Sequence, residues 1–394
     1  MTGVWAALLG RGWGAWRGNW NSEQVLTNRA GHWVFEQGGR EIDRWPELRH
    51  ALSALWPRRR ARDGSPWVVG WIGYEEAANL AGELPIHGGV DSAPAGRFLV
   101  EPELATEEEG VGDPASTSAG AARWSLDGER YRDGVESIRE RIASGDVYQV
   151  NLCRRLTVED SDSLLGLFAV AAAKGGEPDY LARFHFDSGE VLCASMELLL
   201  RRRNDILETC PIKGTRPRGE TEKKDRRLAE ELASDPKERA ELAMVIDLER
   251  NDLGRVSEIG SVEVVDPGSV RTYASVHHLV GRVRGRAQLG LEWWDVLAAM
   301  VPGGSVTGCP KHAAMSLIRD LEPVQRGPFT GAFGVAAGNG DMEFALPIRT
   351  AWQVGATLEF AAGCGVVWDS DPEAEEKESL LKVARWLDLV GCAG

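Results

Sequence analysis

Apolar positions along this chain recur with two periods, and the two alternate in blocks. Val135, Ile138 and Ile142 are spaced three and four apart, so they share one face of a helix that Ser144 and Gly145 end. The next block, 147–158, reads as a strand, and strand runs follow near 181–186, 190–202 and 205–212. Two helices come next, over about 220–233 and 236–250, with Asp235 and Pro236 as cap and first position of the second. Strands near 261–285 precede helices at 291–300 and 310–321. Further strands fill 329–367, and a last helix runs from 372 to about 389. Runs of strands alternating with runs of helices, without strict βαβ units, predict an α+β fold. No internal repeat is visible.

Upstream the pattern is looser. Residues 1–104 read as mixed strand and helix, with a short helix over 46–56. A buried strand over 67–74 carries glycines for close packing. Trp13, Trp16 and Trp20 are spaced like one helical face, but the glycines between them argue for core or edge packing instead. Residues 105–122 are polar and turn-rich, and predict an exposed linker or insertion loop. A larger region, 123–394, follows, and the whole is expected to fold as one intertwined domain.

Composition narrows the class. A chain of 394 residues with 43% hydrophobic content has ample material for a core. A net charge of −15 argues against broad nucleic-acid binding, which needs a basic footprint. The runs Arg58-Arg59-Arg60 and Arg201-Arg202-Arg203 are short and read as solvated charge. Six cysteines without a CxxC pair suggest reduced thiols and a cytoplasmic protein. The start shows no signal peptide, because glycine and arginine follow Leu9 at once. No run of about 18 apolar residues exists to form a membrane-spanning helix.

The chemistry centres on Lys213, in Pro211-Ile212-Lys213-Gly214-Thr215-Arg216. It is either a solvated loop lysine or an amine held against apolar walls, where it loses its proton more easily and becomes a nucleophile. Two acidic helix starts lie far from it in sequence. Glu238 and Glu241 are three apart, as are Glu375 and Glu378, so each pair projects from one helix side. Four converging carboxylates repel one another unless a hard cation sits between them, and Mg²⁺ suits such a set. Each pair also has a plainer reading. Asp235-Pro236-Lys237-Glu238 fits a capping box. The second set fits first-turn acids with a Glu378–Lys382 surface pair.

Pro302–Lys311 is glycine-rich and leads into a helix, which suits either an anion-binding loop or a plain turn; its spacing is not that of a P-loop. Gly363-Cys364-Gly365 resembles a nucleophile turn, but with no histidine assigned to it a packing turn is the simpler reading.

Taken in order, these blocks resemble the chorismate-utilising enzymes, a family that includes anthranilate, aminodeoxychorismate, isochorismate and salicylate synthases. The matching blocks are Ser144 through Leu152, the Lys213 block, Glu241 through Arg255, His278-Leu279-Val280, the Pro302–Lys311 loop, Ile348-Arg349-Thr350, Ala362 through Gly365, and Asp369 through Glu373. They cover roughly the last two thirds of the chain. The first hundred residues match only loosely, chiefly at Gly70 to Tyr74. Within the family, isochorismate and salicylate synthases resemble one another in placing a lysine where this chain has Gln149, which disfavours water addition here. Pro-Ile-Lys-Gly-Thr resembles the component I of aminodeoxychorismate synthases, whereas anthranilate synthases have alanine at the lysine position.

The resemblance implies two large facing, mainly antiparallel sheets with helices outside and the site between them. It implies Mg²⁺ held by Glu241 and Glu378, with Glu238 and Glu375 on its waters, and Lys213 as nucleophile at C2 of chorismate. Glu197 matches the general acid, although Met196 stands where the family usually has proline. Gln149, Thr215, His278, Thr307, Arg349, Gly363, Gly365 and Lys382 match substrate-contacting positions, with Arg349 and Lys382 suited to the enolpyruvyl carboxylate. Ammonia is the implied amine. With no glutaminase elbow in the sequence, a separate glutamine amidotransferase subunit is the implied partner. Two other readings stay open: an anthranilate synthase component I, and a non-catalytic, metal-stabilised binding protein.

Overall fold

The computed structural model describes residues 5–9, 11–59, 62–82, 93–105, 122–159, 164, 178–186 and 188–390. Its helices are α1 (Leu48–Leu55), α2 (Tyr74–Ala81), α3 (Gly128–Ala143), α4 (Glu222–Ser234), α5 (Pro236–Gly254), α6 (Trp293–Met300), α7 (Lys311–Leu321) and α8 (Pro372–Val390). The strands form two sheets of ten and twelve strands, antiparallel throughout the described residues.

Strand alternation fixes which side chains enter the space between the sheets. In Gln149–Val158, Val150 and Leu152 pack outward under Tyr131, Val135 and Ile138 of α3 and Ile318 of α7. Gln149, Asn151 and Cys153 therefore point to the opposite face, toward the other sheet. The sheets meet through one apolar layer, with Phe184, Val191 and Cys193 from the first against Val69, Trp71, Phe333 and Val335 from the second. Beyond the second sheet, Trp293 and Leu297 of α6 pack with Leu200 and Phe344.

The first hundred residues supply strands to both sheets. Trp5–Leu8 pairs with the strand Tyr180–Phe186, and Pro66–Ile72 pairs with Ala332–Ala337. Trp13 and Trp16 lie in a short 3-10 turn, and Trp13 Nε1 donates to the Leu181 carbonyl at 3.0 Å, so packing is their role. Of the segment read as a linker, residues 106–121 lie outside the described residues. No described helix is long and apolar enough to cross a membrane.

One expectation needs correcting in a way that matters for the site. The run 190–202 is not a single strand. Gly189–Ser195 belongs to the ten-stranded sheet and Leu198–Arg203 to the twelve-stranded one, so Met196 and Glu197 form the crossing between them. Met342–Ala345 and Thr350–Val354 cross in the opposite sense beside it. The two crossings are tied together by Leu346 N–H to the Glu197 carbonyl at 3.1 Å and by Ala194 N–H to the Arg349 carbonyl at 3.2 Å.

Candidate active site

Lys213 lies in the strand Ile212–Pro217, at the edge of the twelve-stranded sheet. Its register against Val276–Arg286 shifts between Lys213 and Thr215, where Gly214 adopts φ +62°. That left-handed residue lets the strand bulge at the lysine, and glycine takes it without the Cβ clash of other residues. The half-buried Lys213 side chain reaches across to the other sheet. A Cβ built on Gly365 would lie 3.5 Å from Lys213 Nζ and 2.7 Å from Gln149 Nε2. Gly365 is paired with Asn151, and Gly363 with Cys153, so both glycines face the gap between the sheets. Gln149 is almost wholly buried there, and its Oε1 finds no hydrogen-bond partner among the described residues. An acceptor left open at such a place is a place for a ligand donor.

Glu197, on the crossing, is 5% exposed. Its Oε1 accepts a hydrogen bond from Ser305 Oγ at 2.7 Å. Burial pushes its carboxyl up to about 7, while Ser305, Lys213 and the Ile212 N–H pull the other way. A carboxyl poised near neutrality within the field of an amine is suited to proton transfer.

His278 Nδ1 lies 3.0 Å from the Gly214 carbonyl and 3.1 Å from Thr215 Oγ1. A carbonyl only accepts, so Nδ1 carries the proton and Nε2 is left as the acceptor. Burial drops the His278 pKa to about 4, helped by the nearby Arg349 charge, so the ring is neutral at physiological pH. Arg349 itself stands on the second crossing with φ +50°, a left-handed conformation that costs a non-glycine residue roughly 1–2 kcal/mol. Thr307 is fully buried, and its hydroxyl donates to the Gly303 carbonyl at 2.9 Å. Its proton is committed to shaping its own loop, so it can offer substrate only an acceptor.

The acidic pairs lie on two helices, α5 and α8, close enough for the Glu375 charge to bear on Glu241. On α5, Asp235 caps the backbone N–H groups of Lys237 and Glu238, but the Glu238 carboxylate turns to Arg216 at 3.0 Å instead of completing a capping box. Burial raises the Glu241 carboxyl above its usual range, Lys213 and Lys237 oppose this, and the Glu238 and Glu375 charges add to it. On α8, Glu375 is buried and accepts from Ser370 Oγ at 2.7 Å. Glu375, Glu378 and Cys364 hold ligand atoms within 4.8 Å of one another. Burial pushes the Cys364 thiol up to about 12, so it stays protonated and is a poor partner for a hard cation. Glu375 and Glu378 thus bring two carboxylates together as a hard divalent cation would need, with the Glu241 charge near enough to be felt, while Glu238 is engaged with Arg216. Lys382 Nζ lies 2.8 Å from Glu378 Oε1 and 2.8 Å from the Gly363 carbonyl, which puts the expected helix pair at the edge of the site.

Gly363-Cys364-Gly365 is not a turn. It lies inside the strand Thr357–Val366. Its glycines keep the strand surface low. A Cβ on Gly363 would come within 2.3 Å of Cys153 Sγ and 2.7 Å of the Leu152 carbonyl, so Gly363→Ala should destabilise the fold by about 1–3 kcal/mol. Gly365→Ala meets only the movable ends of Gln149 and Lys213. It should fold normally and lose roughly 100-fold in activity, the cost of a displacement near 1 Å. Thermal melts and kinetics on the two variants check this contrast.

Comparison with known proteins gives the family and the fold. The chorismate binding enzyme family matches residues 89–388. Aminodeoxychorismate synthase component 1 of Bacillus subtilis is 41% identical over 269 residues, which is 68% of this chain and 57% of that protein. Anthranilate synthase component 1 of Thermus thermophilus is 40% identical over 307 residues, 77% of this chain and 65% of that protein. The matches thus span just over half of the first relative's length and under two thirds of the second's. The crystal structure of anthranilate synthase component I from Streptococcus pneumoniae superposes with a TM-score of 0.78 at 25% identity, covering 98% of this chain and 92% of that one. With the family match spanning most of the sequence and a two-sheet architecture shared with a solved relative, this chain belongs to the chorismate binding enzyme family.

Proposed function

We propose that this chain aminates chorismate at C4 with ammonia, giving 4-amino-4-deoxychorismate for 4-aminobenzoate and folate synthesis. The observation that carries the reading is Lys213, whose Nζ reaches the glycine floor of the site with Glu197 close enough to feel its charge. Lys213 forms a bond to ring C2 while the C4–O bond breaks and the two conjugated ring double bonds each shift by one position. Glu197 gives its proton to the departing hydroxyl, which leaves as water. Ammonia then forms the C4–N bond, the C2–Nζ bond breaks, and Lys213 recovers its electron pair. The excess proton on the new amine returns to Glu197, so the atoms balance as chorismate plus ammonia giving product plus water. The open Gln149 Oε1 is available to accept from an N–H of the bound amine, and neutral His278 and Thr215 shape the wall beside Lys213. Arg349 and Lys382 receive the enolpyruvyl carboxylate. Glu241 and Glu378 would hold Mg²⁺, with Glu238 and Glu375 toward its waters, and the ion would supply countercharge for the ring carboxylate.

The relatives named above are each component 1 of their enzymes, which supports a separate glutamine amidotransferase as partner. The free thiols of Cys153, Cys193, Cys210, Cys309 and Cys364 suit a reducing cytoplasm. A second reading, an anthranilate synthase component I, is supported by near-equal identity to the Bacillus and Thermus relatives. Incubating the pure chain with chorismate, Mg²⁺ and ammonium, then weighing the product, decides. 4-Amino-4-deoxychorismate supports the amination. Anthranilate with pyruvate supports the second reading, and unconsumed chorismate rejects both. Glutamine alone should give no product until a glutaminase is added. Glutamine-dependent turnover by the highly purified chain would remove the separate partner.

A further inference from the structure

A buried ion pair, Glu322 with Arg326, has no task in the reaction above. Both residues lie in the segment that joins α7 to the strand Ala332–Ala337, and they are 4% and 3% exposed. Arg326 Nε donates to Glu322 Oε2 at 2.9 Å and its Nη2 to Oε1 at 2.6 Å, the two-pronged contact of a guanidinium with a carboxylate. Such a pair offsets its lost hydration only when its remaining donors and acceptors are also met. Here backbone from two distant stretches meets them. Nη1 donates to the Val306 carbonyl at 2.8 Å, and Nη2 to the Asn151 carbonyl at 2.8 Å. Glu322 Oε1 accepts from the Cys153 N–H at 2.8 Å. From α2, the Tyr74 ring lies 4.6 Å from the guanidinium carbon, and the Glu75 carboxylate accepts from the Arg326 and Gly327 N–H groups at 2.8 and 3.1 Å.

Those backbone partners border the reacting groups. Val306 stands between Thr307 and Ser305, and the Ser305 hydroxyl donates to Glu197 at 2.7 Å. Asn151 and Cys153 belong to the strand that carries Gln149 and pairs with Gly363 and Gly365. The turn Gly304–Val306 is held only loosely by its own backbone. Val306 N–H reaches the Gly303 carbonyl at 3.3 Å, and Thr307 N–H the Gly304 carbonyl at 3.4 Å, both longer than a good hydrogen bond. An outside tie at 2.8 Å to the Val306 carbonyl therefore weighs heavily in where the turn sits.

We propose that Arg326 is a positioning residue: it ties the turn Gly304–Val306 to the strand Gln149–Val158 and so aims the Ser305 hydroxyl at Glu197. Lysine cannot do the same, because one ammonium lacks the planar fork that reaches Glu322 and both carbonyls together. The inference rests on the reading of Glu197 as the proton donor in the proposed reaction.

The test is a double-mutant cycle between Arg326→Lys and Ser305→Ala, read as kcat and KM for chorismate consumption. Arg326→Lys keeps a cation beside Glu322, so no buried carboxylate is left alone. It should lower kcat by roughly 10-fold, the cost of a small displacement, with KM little changed. Ser305→Ala should lower kcat at least as far. The double variant should lose no more than about threefold beyond Ser305→Ala alone, because the tie then has no hydroxyl to aim. Losses that multiply in the double variant would mean that Arg326 acts by loosening the whole protein, and would overturn the proposal; so would an unaltered kcat in Arg326→Lys. If Arg326→Lys does not fold, Glu75→Gln loosens the same arginine from its backbone side, and the same cycle with Ser305→Ala decides: a shared loss supports the tie, and a multiplied or absent loss overturns it. Glu197→Gln, assayed beside them, tests the underlying reading by itself. Full activity there removes Glu197 as the donor, whereas the cycle reports whether Arg326 and Ser305 act as one unit.

Discussion

Lys213→Ala should reduce chorismate amination by roughly 10³-fold or more, the scale of losing a covalent nucleophile, while leaving the fold intact. The side chain is half-buried, and the strand around it is held by backbone pairing of Ile212 with Val280 and Thr215 with His278. What disappears is the amine placed at Gly365 between the two sheets. Trapping during turnover should put a chorismate-derived mass on the parent peptide containing Lys213 and none on the variant. Amination by the variant at the parental rate would remove Lys213 from the mechanism.

The second large effect is expected at the acidic helices. Glu241→Gln and Glu378→Gln should each raise the Mg²⁺ concentration for half-maximal activity by at least 10- to 100-fold, a range already reached when groups outside the ligand shell are lost. Glu238→Gln should act more mildly, since that carboxylate is already engaged with Arg216. Burial raises Glu241, with the Glu238 and Glu375 charges adding to it against Lys213 and Lys237, so protonation competes with a cation there. The apparent Mg²⁺ affinity should therefore weaken as pH falls toward the raised carboxylate range. A second readout needs no substrate. Without added metal, Glu241→Gln removes one of several like charges and should melt no lower than the parent, whereas with Mg²⁺ the parent should gain more. Unchanged half-saturation in both deep variants would reject a metal role for these helices.

The parts of the site that sequence reveals are those whose chemistry is local. Lys213 between Ile212 and Gly214 announces itself by type and neighbours, and the helix-face spacing of Glu238 with Glu241 and of Glu375 with Glu378 follows from the α-helical period. What stays hidden depends on partners distant in the chain. The run from Gly189 to Arg203 is apolar enough to read as one strand, and only Ser195 and Glu197 inside it mark where the chain changes sheets. Glu238 looks like a capping-box acid until Arg216, 22 residues earlier, claims it. Gly363 and Gly365 look like a turn, yet they floor a strand beneath Gln149 and Lys213.

The sharing of both sheets between the two ends of the chain governs how the protein can be made. Pro66–Ile72 needs Ala332–Ala337 on one side, and Gln149–Val158 needs Thr357–Val366. A ribosome therefore releases most of the sequence before either sheet can close, and each closure spans some two hundred residues or more of loop entropy. Until residue 366 emerges, long apolar strands wait with open edges, the arrangement most prone to pairing with another chain. Yield in a host cell should thus depend on holdase chaperones and on translation speed through the second half of the message more than on the final stability of the folded enzyme.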